Sequence, residues 1–188
     1  PYSSGQQNVA IGYQAFDAFT SGQQNVAIGY QALSSATSAS YNTAVGQKAF
    51  VTLTTGGSSV AVGFESGFNI DTGAYNVFVG HHSGYNNQSG VYNVNIGYQS
   101  GYGAASNSSN TNTFVGYKTG YDVTDGSNNV AVGVMALENL TSGADNIVIG
   151  NVAGQDITTT TKTVLIGRNA GMQINSTDAD GTVAIGYT

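Results

Sequence analysis

The chain has 188 residues, of which only 7% are charged, about a quarter of the share usual in soluble proteins, so its surface must be covered by neutral polar side chains and glycine. Ten acids stand against Lys48, Lys118, Lys162 and Arg168, giving a net charge of −6 and no basic stripe with which to neutralise phosphates, which argues against nucleic acid as a partner. The absence of cysteine excludes disulfides and thiolate metal sites, and no apolar run approaches the roughly 18 residues of a membrane helix.

The predicted elements follow one another with a fixed period. An apolar triplet runs into a glycine eleven times, at Gly12, Gly29, Gly46, Gly63, Gly80, Gly97, Gly116, Gly133, Gly150, Gly167 and Gly186. The spacing is 17 residues except for Gly97 to Gly116 and Gly167 to Gly186, where it is 19, and the register resumes after each insertion. Short fixed periods are the signature of solenoids, and insertions that keep register belong in loops, here at 103–112 and 175–182. With one proline, many β-branched residues and turns rich in Gly, Ser, Thr and Asn, the expected fold is all-β: a parallel β-solenoid, or β-roll, of about eleven coils forming a single domain over 1–188. A chain that begins and ends in mid-repeat, with no capping coil, reads as a fragment of a longer fibrous protein.

Each coil has recognisable columns. Four residues before the glycine stands Asn in eight coils, replaced by Ser59, Thr163 and Thr182, as expected for a turn whose amides form a ladder from coil to coil. The triplet itself is apolar in 30 of 33 instances, with Thr43, Asn95 and Thr113 as exceptions, so both faces of the strand are apolar. We expect the Val and Ile columns, such as Val9 and Ile11, to fill the coil interior. The middle column (Ala10, Ala27, Ala44, Ala61, Phe78, Phe114, Ala131, Val148, Leu165, Ala184) then faces outward and is covered by copies of the same chain.

Beyond the glycine two subtypes occur. One carries a large apolar residue four positions on (Phe16, Leu33, Phe50, Leu137); the other carries glycine there, usually followed by an aromatic (Phe68, Tyr85, Tyr102, Tyr121). Seven positions on, the column Phe19, Ala36, Leu53, Ile70, Ala104, Val123, Leu140, Ile157 and Ile174, broken by Asn87, forms the opposite wall of the core. Side-chain burial alone does not offset the cost of ordering so thin a coil, which favours a rod stabilised by neighbouring copies.

The strings NVAIGYQA at 8–15 and 25–32, NTAVGQKA at 42–49 and NVAVGVMA at 129–136 resemble the head repeats of YadA-like trimeric autotransporter adhesins, and similar repeats occur in phage tail-fibre proteins. The resemblance spans essentially the whole chain. It implies a parallel β-roll, three chains packed side by side, an extracellular, cell-surface or virion location, and a role in attachment, with the chain itself and a host-surface protein or glycan as partners.

Sites of chemistry are sparse. His81 and His82 are adjacent, and in a strand they point to opposite faces, so they do not share a metal. The turns DVTDG at 122–126 and DADG at 178–181 lack the full ligand series of a calcium loop. No cofactor, metal site or enzyme activity is expected. The column immediately after the glycine (Tyr13, Tyr30, Phe64, Tyr98, Tyr117, and Tyr187 in the last coil) is the candidate receptor-binding surface, against the alternative that these rings stack on one another along the rod. Sequons at Asn87, Asn107, Asn139 and Asn175 matter only in a glycosylating pathway. Two rival functions remain at this level: a filament subunit stacking end to end through uncapped coils, and an ice-binding solenoid, for which no outward column is uniformly Thr.

Overall fold

The computed structural model describes residues 5–104, 107–174 and 179–187. Eleven three-residue strands occupy the expected triplets: β1 (Val9–Ile11), β2 (Val26–Ile28), β3 (Thr43–Val45), β4 (Val60–Val62), β5 (Val77–Val79), β6 (Val94–Ile96), β7 (Thr113–Val115), β8 (Val130–Val132), β9 (Ile147–Ile149), β10 (Val164–Ile166) and β11 (Val183–Ile185). They form one parallel sheet in sequence order, each residue paired with its equivalent in the next coil, as Val26 with Thr43 and Ile28 with Val45. The protein is therefore an all-β parallel solenoid, and at about 4.8 Å per strand the rod is roughly 50 Å long. Below, coil 1 contains β1, coil 2 contains β2, and so on.

The inside and the outside of the strand are the reverse of the sequence expectation. Ala27, Ala44, Ala61, Phe78, Ala131, Val148 and Leu165 have no exposed surface and Phe114 retains 1%, all within a single chain. Ala10 and Ala184, in the outermost coils, pair with Ala27 and Leu165 and belong to the same inward column. A side chain already enclosed by its own coil has no surface left for a partner, so this column is not a subunit interface. The Val and Ile columns point outward instead.

Two features of the repeat impose this orientation. Asn four residues before the glycine has the same parity as the middle residue, and it is buried: in Asn25 and Asn129 the side chain is fully enclosed. Its Oδ1 accepts the backbone N–H of the next coil's Asn, from Asn42 to Asn25 at 2.9 Å, while its Nδ2 reaches across the coil to a turn carbonyl, from Asn25 to Ala39 O at 2.8 Å. The expected ladder thus doubles as a cross-brace. The second feature is size. Where the residue four after the glycine is large, as Leu33 or Phe50, the middle strand residue is Ala; where it is glycine, the middle residue grows to Phe78, Phe114, Val148 or Leu165, or is Asn95 in coil 6, and only coil 4 joins Gly67 to an alanine, Ala61, with the Phe50 and Phe78 rings of the neighbouring coils against Gly67. A Cβ on Gly84 would stand 2.6 Å from the Phe78 ring, and one on Gly171 2.8 Å from Leu165. The two positions share one interior volume.

The column seven after the glycine does form the opposite wall, with Leu53, Ile70, Val123, Leu140 and Ile157 fully buried. Coil 6 departs from it. Ala104 is exposed, and Asn107 takes the inner place, bridging to Asn87, with Gln88 N–H donating to Asn107 O at 2.8 Å. Of the second long coil, 175–178 lie outside the described residues, and with them Asn175 and Asp178.

The turn after each strand is built on left-handed backbone. The second residue after the glycine has φ between 51° and 59° in ten coils, among them Glu65, His82, Lys118 and Val152. The motif glycine has φ near +135°, and a Cβ there would collide with the carbonyl oxygen of the next coil's glycine, as at Gly116 against Gly133. Only glycine allows the coils to stack at strand spacing there.

Candidate binding surface

The outward face of the sheet carries four columns. Two are the β-branched residues of the strands, with Ile11 58%, Ile96 38%, Ile147 43% and Ile149 39% exposed. They are flanked on one side by the residue before the Asn, which includes Tyr41, Tyr75 and Tyr92, and on the other by the residue after the glycine. Strand spacing and rise give this face an area of roughly 1,000 Å². Contiguous exposed apolar patches above a few hundred Å² are uncommon on monomeric proteins and mark places of interaction.

The column after the glycine is where the sequence placed receptor contacts. Tyr13, Tyr30, Phe64, Tyr98, Tyr117 and Tyr187 are all exposed. Their faces, however, are turned toward each other. Phe64 stacks on His81 at 4.9 Å between centroids, His81 on Tyr98 at 5.3 Å, and Tyr98 on Tyr117 at 5.4 Å with only 8° between planes. Tyr13 and Tyr30 form a separate pair at 5.7 Å. Parallel strands repeat at nearly the thickness of a stacked ring, so identical positions stack along the rod and offer their edges to solvent. A sugar ring seeking an aromatic face finds one only at the end of a stack.

A second stack, half-buried, runs through Phe68, Tyr85, Tyr102 and Tyr121, with neighbouring centroids 4.9 to 5.0 Å apart. Cations close both ends: Lys48 Nζ lies 5.7 Å from the Phe68 centroid and Lys118 Nζ 4.9 Å from that of Tyr121. Burial, followed by Glu65 for Tyr85 and by Tyr121 for Tyr102, pushes both phenols up, so they remain neutral hydroxyls across the physiological range.

His81 belongs to the first stack, and His82 sits between it and the second. The two histidines do not point to opposite faces: His82 lies beyond the end of β5 with φ of 56°, which turns its ring back to within 4.0 Å of the His81 centroid. His82 Nε2 lies 3.0 Å from Glu65 Oε2, and Lys48 Nζ is 3.9 Å from the other carboxylate oxygen, so Lys48, Glu65 and His82 form an axial chain of ionisable groups over coils 3 to 5. Burial, then the neighbouring His81, holds the His82 imidazole below its ordinary value, with Glu65 opposing. Among the described residues no group of three or more His, Asp or Glu side chains is arranged to hold a metal ion. Nor, among them, is any helix long and apolar enough to cross a membrane.

Two sequons change meaning in the fold. Asn87 and Asn107 retain 1% exposure each, and their side chains lie inside the rod, out of reach of a glycosylating enzyme. The two interruptions of the apolar columns, Asn87 and Asn95, are both buried, which sequence reading, taking each column by itself, did not bring together. Comparison with family models, with curated proteins and with solved structures finds no match.

Proposed function

We propose that this chain is a segment of an extracellular attachment fibre, of the trimeric adhesin or phage tail-fibre kind, in which three copies pack side by side through the outward Val and Ile columns. The observation that carries the reading is the apolar sheet face itself: Val62, Val79, Ile96 and Val115 continue from coil to coil on the outside of the rod, on a surface otherwise almost devoid of charge. Together with its flanking columns the face covers the roughly 800 Å² per partner of a standard stable interface, and its straightness suits a partner of the same pitch, which another copy of the solenoid provides. The tyrosine edges and polar turns beside it remain available to hold or present a contact to a host-surface protein or glycan. The interface residues differ from the sequence expectation, whereas the assembly they serve is the same.

Light scattering coupled to size exclusion tests the assembly. The native segment is expected at three times the 19.2 kDa of the chain, and Val79→Lys with Ile96→Lys, which places charge on the face without touching the interior, at one. A native monomer overturns the reading, and open-ended growing species replace it with filament assembly.

A further inference from the structure

The apolar core of the rod is interrupted once. One cluster of buried hydrophobic residues ends at Phe78 and a second begins at Phe114. The break is made by a facing pair. In this fold the residue seven after a glycine meets the middle residue of the next strand: a Cβ on Gly154 would lie 3.1 Å from both Ile157 and Leu165. In most coils that pair is apolar on both sides, as Leu53 with Ala61 or Ile70 with Phe78; at the junction of coils 5 and 6 it is Asn87 with Asn95, and in coil 6 Asn107 takes the inner place ahead of Phe114. Asn107 then stacks on Asn87 from the following turn. All three are 97% or more buried.

The orientation of two of these amides is fixed by the backbone. Asn87 Oδ1 accepts the N–H of Gly90 at 2.8 Å, and Asn107 Oδ1 that of Ser109 at 2.7 Å. Their NH₂ groups therefore point away from the turn, and neither Nδ2 has a protein partner; nor does Asn95 Oδ1. These are three of the four such side-chain atoms among the described residues, and they fall in one stretch of 21 residues. Gly101 abuts the Asn95 amide and Gly103 the Asn107 amide so closely that a Cβ on either would collide with it. Asn95 and Asn107 thus each lie directly against glycine backbone, with no side chain at that glycine to partner them.

We infer that the rod encloses a solvent site at this junction, at which water accepts hydrogen bonds from Asn87 and Asn107 Nδ2 and donates one to Asn95 Oδ1. A buried amide left without a partner costs its full desolvation penalty, and three within one stretch of 21 residues are retained only where something small, polar and able both to donate and to accept satisfies them. Water does both, whereas a halide satisfies the two amide donors and is repelled by the Asn95 oxygen.

Magnetic relaxation dispersion of the solvent nuclei, measured on the whole chain, tests this. The native protein is expected to show a low-frequency step from long-lived internal water, and Asn87→Leu/Asn95→Ala, which installs the pair found at Leu53 and Ala61, to lose most of it while keeping its circular dichroism. A flat native profile overturns the site, as does an undiminished step in the folded double variant. Should the double variant not fold, Asn95→Ser, which retains an acceptor, is expected to keep the step, and its loss of the step without loss of fold overturns the assignment of the acceptor. An anomalous bromide peak between the amides in soaked crystals replaces water by a halide and overturns the proposal.

Discussion

Phe114 and Gly120 share one volume inside coil 7: a Cβ on Gly120 would lie 2.5 Å from the Phe114 ring, and Gly120 has φ of +58°. The backbone does not itself demand glycine there, since Leu33, Phe50 and Leu137 hold the equivalent position at φ of 51° to 53°, each opposite an alanine. Gly120→Leu alone is expected to overpack the coil and cost about 3 kcal/mol, and Phe114→Ala to leave a cavity costing about 4 kcal/mol. Combined, they rebuild the pair found at Ala27 and Leu33, so the double variant recovers most of both losses. Urea unfolding of the four proteins gives a coupling energy, and simple additivity sinks the shared-volume account.

That reciprocity is written in the sequence, as is the parity of Asn and glycine with the middle strand residue, and together they locate the interior. The apolar triplet by itself does not. Two apolar faces in a three-residue strand leave open which one closes the coil, and a small alanine looks like a contact surface until its large partner six residues on is recognised. The period, the eleven strands, the opposite wall and the amide ladder follow from spacing because each depends on backbone register. The nearness of His81 to His82 does not, because the left-handed position two after the glycine is held mostly by Gln, Lys, Glu, Met and Val, which do not signal positive φ.

The cross-brace makes a graded prediction. Asn129 Nδ2 donates to Gly143 O at 2.9 Å, while its Oδ1 accepts the Asn146 N–H at 3.1 Å. Asn129→Ala orphans two buried backbone groups and is expected to cost about 3 kcal/mol. Asn129→Ser is expected to cost about half of that, because Ser59 in coil 4 still accepts the N–H of Asn76, at 3.0 Å, without bracing the far turn. Equal losses for the two variants in chemical denaturation contradict this division.

Val152 sits at φ of 59°, an unusual conformation for a β-branched residue, in a column where the next coil has Asn169 at the same angle. Val152→Asn is expected to relieve strain and stabilise the protein by about 1 kcal/mol. A rise in the urea midpoint at unchanged slope is the expected readout, and a fall means that the isopropyl group contributes packing that outweighs the strain.

His82 makes stability depend on pH in a definite direction. Its imidazole is held below the ordinary histidine range in the folded rod, by burial first and by His81 second. The unfolded chain therefore takes up the proton at higher pH than the folded one. Above about pH 6.5 both states are neutral at this site and nothing is lost; as pH falls from there toward the folded value, the unfolded state binds more protons and stability declines. Glu65, 3.0 Å away, limits the decline by favouring the imidazolium. His82→Gln, which installs the residue found at Gln99 in the next coil, removes the titration. Between pH 7.5 and 5.5 the native urea midpoint is expected to fall further than that of the variant. If the two fall together, the loss belongs to other groups; if the native midpoint rises on acidification, the Glu65 contact outweighs burial and the sign assigned here is wrong.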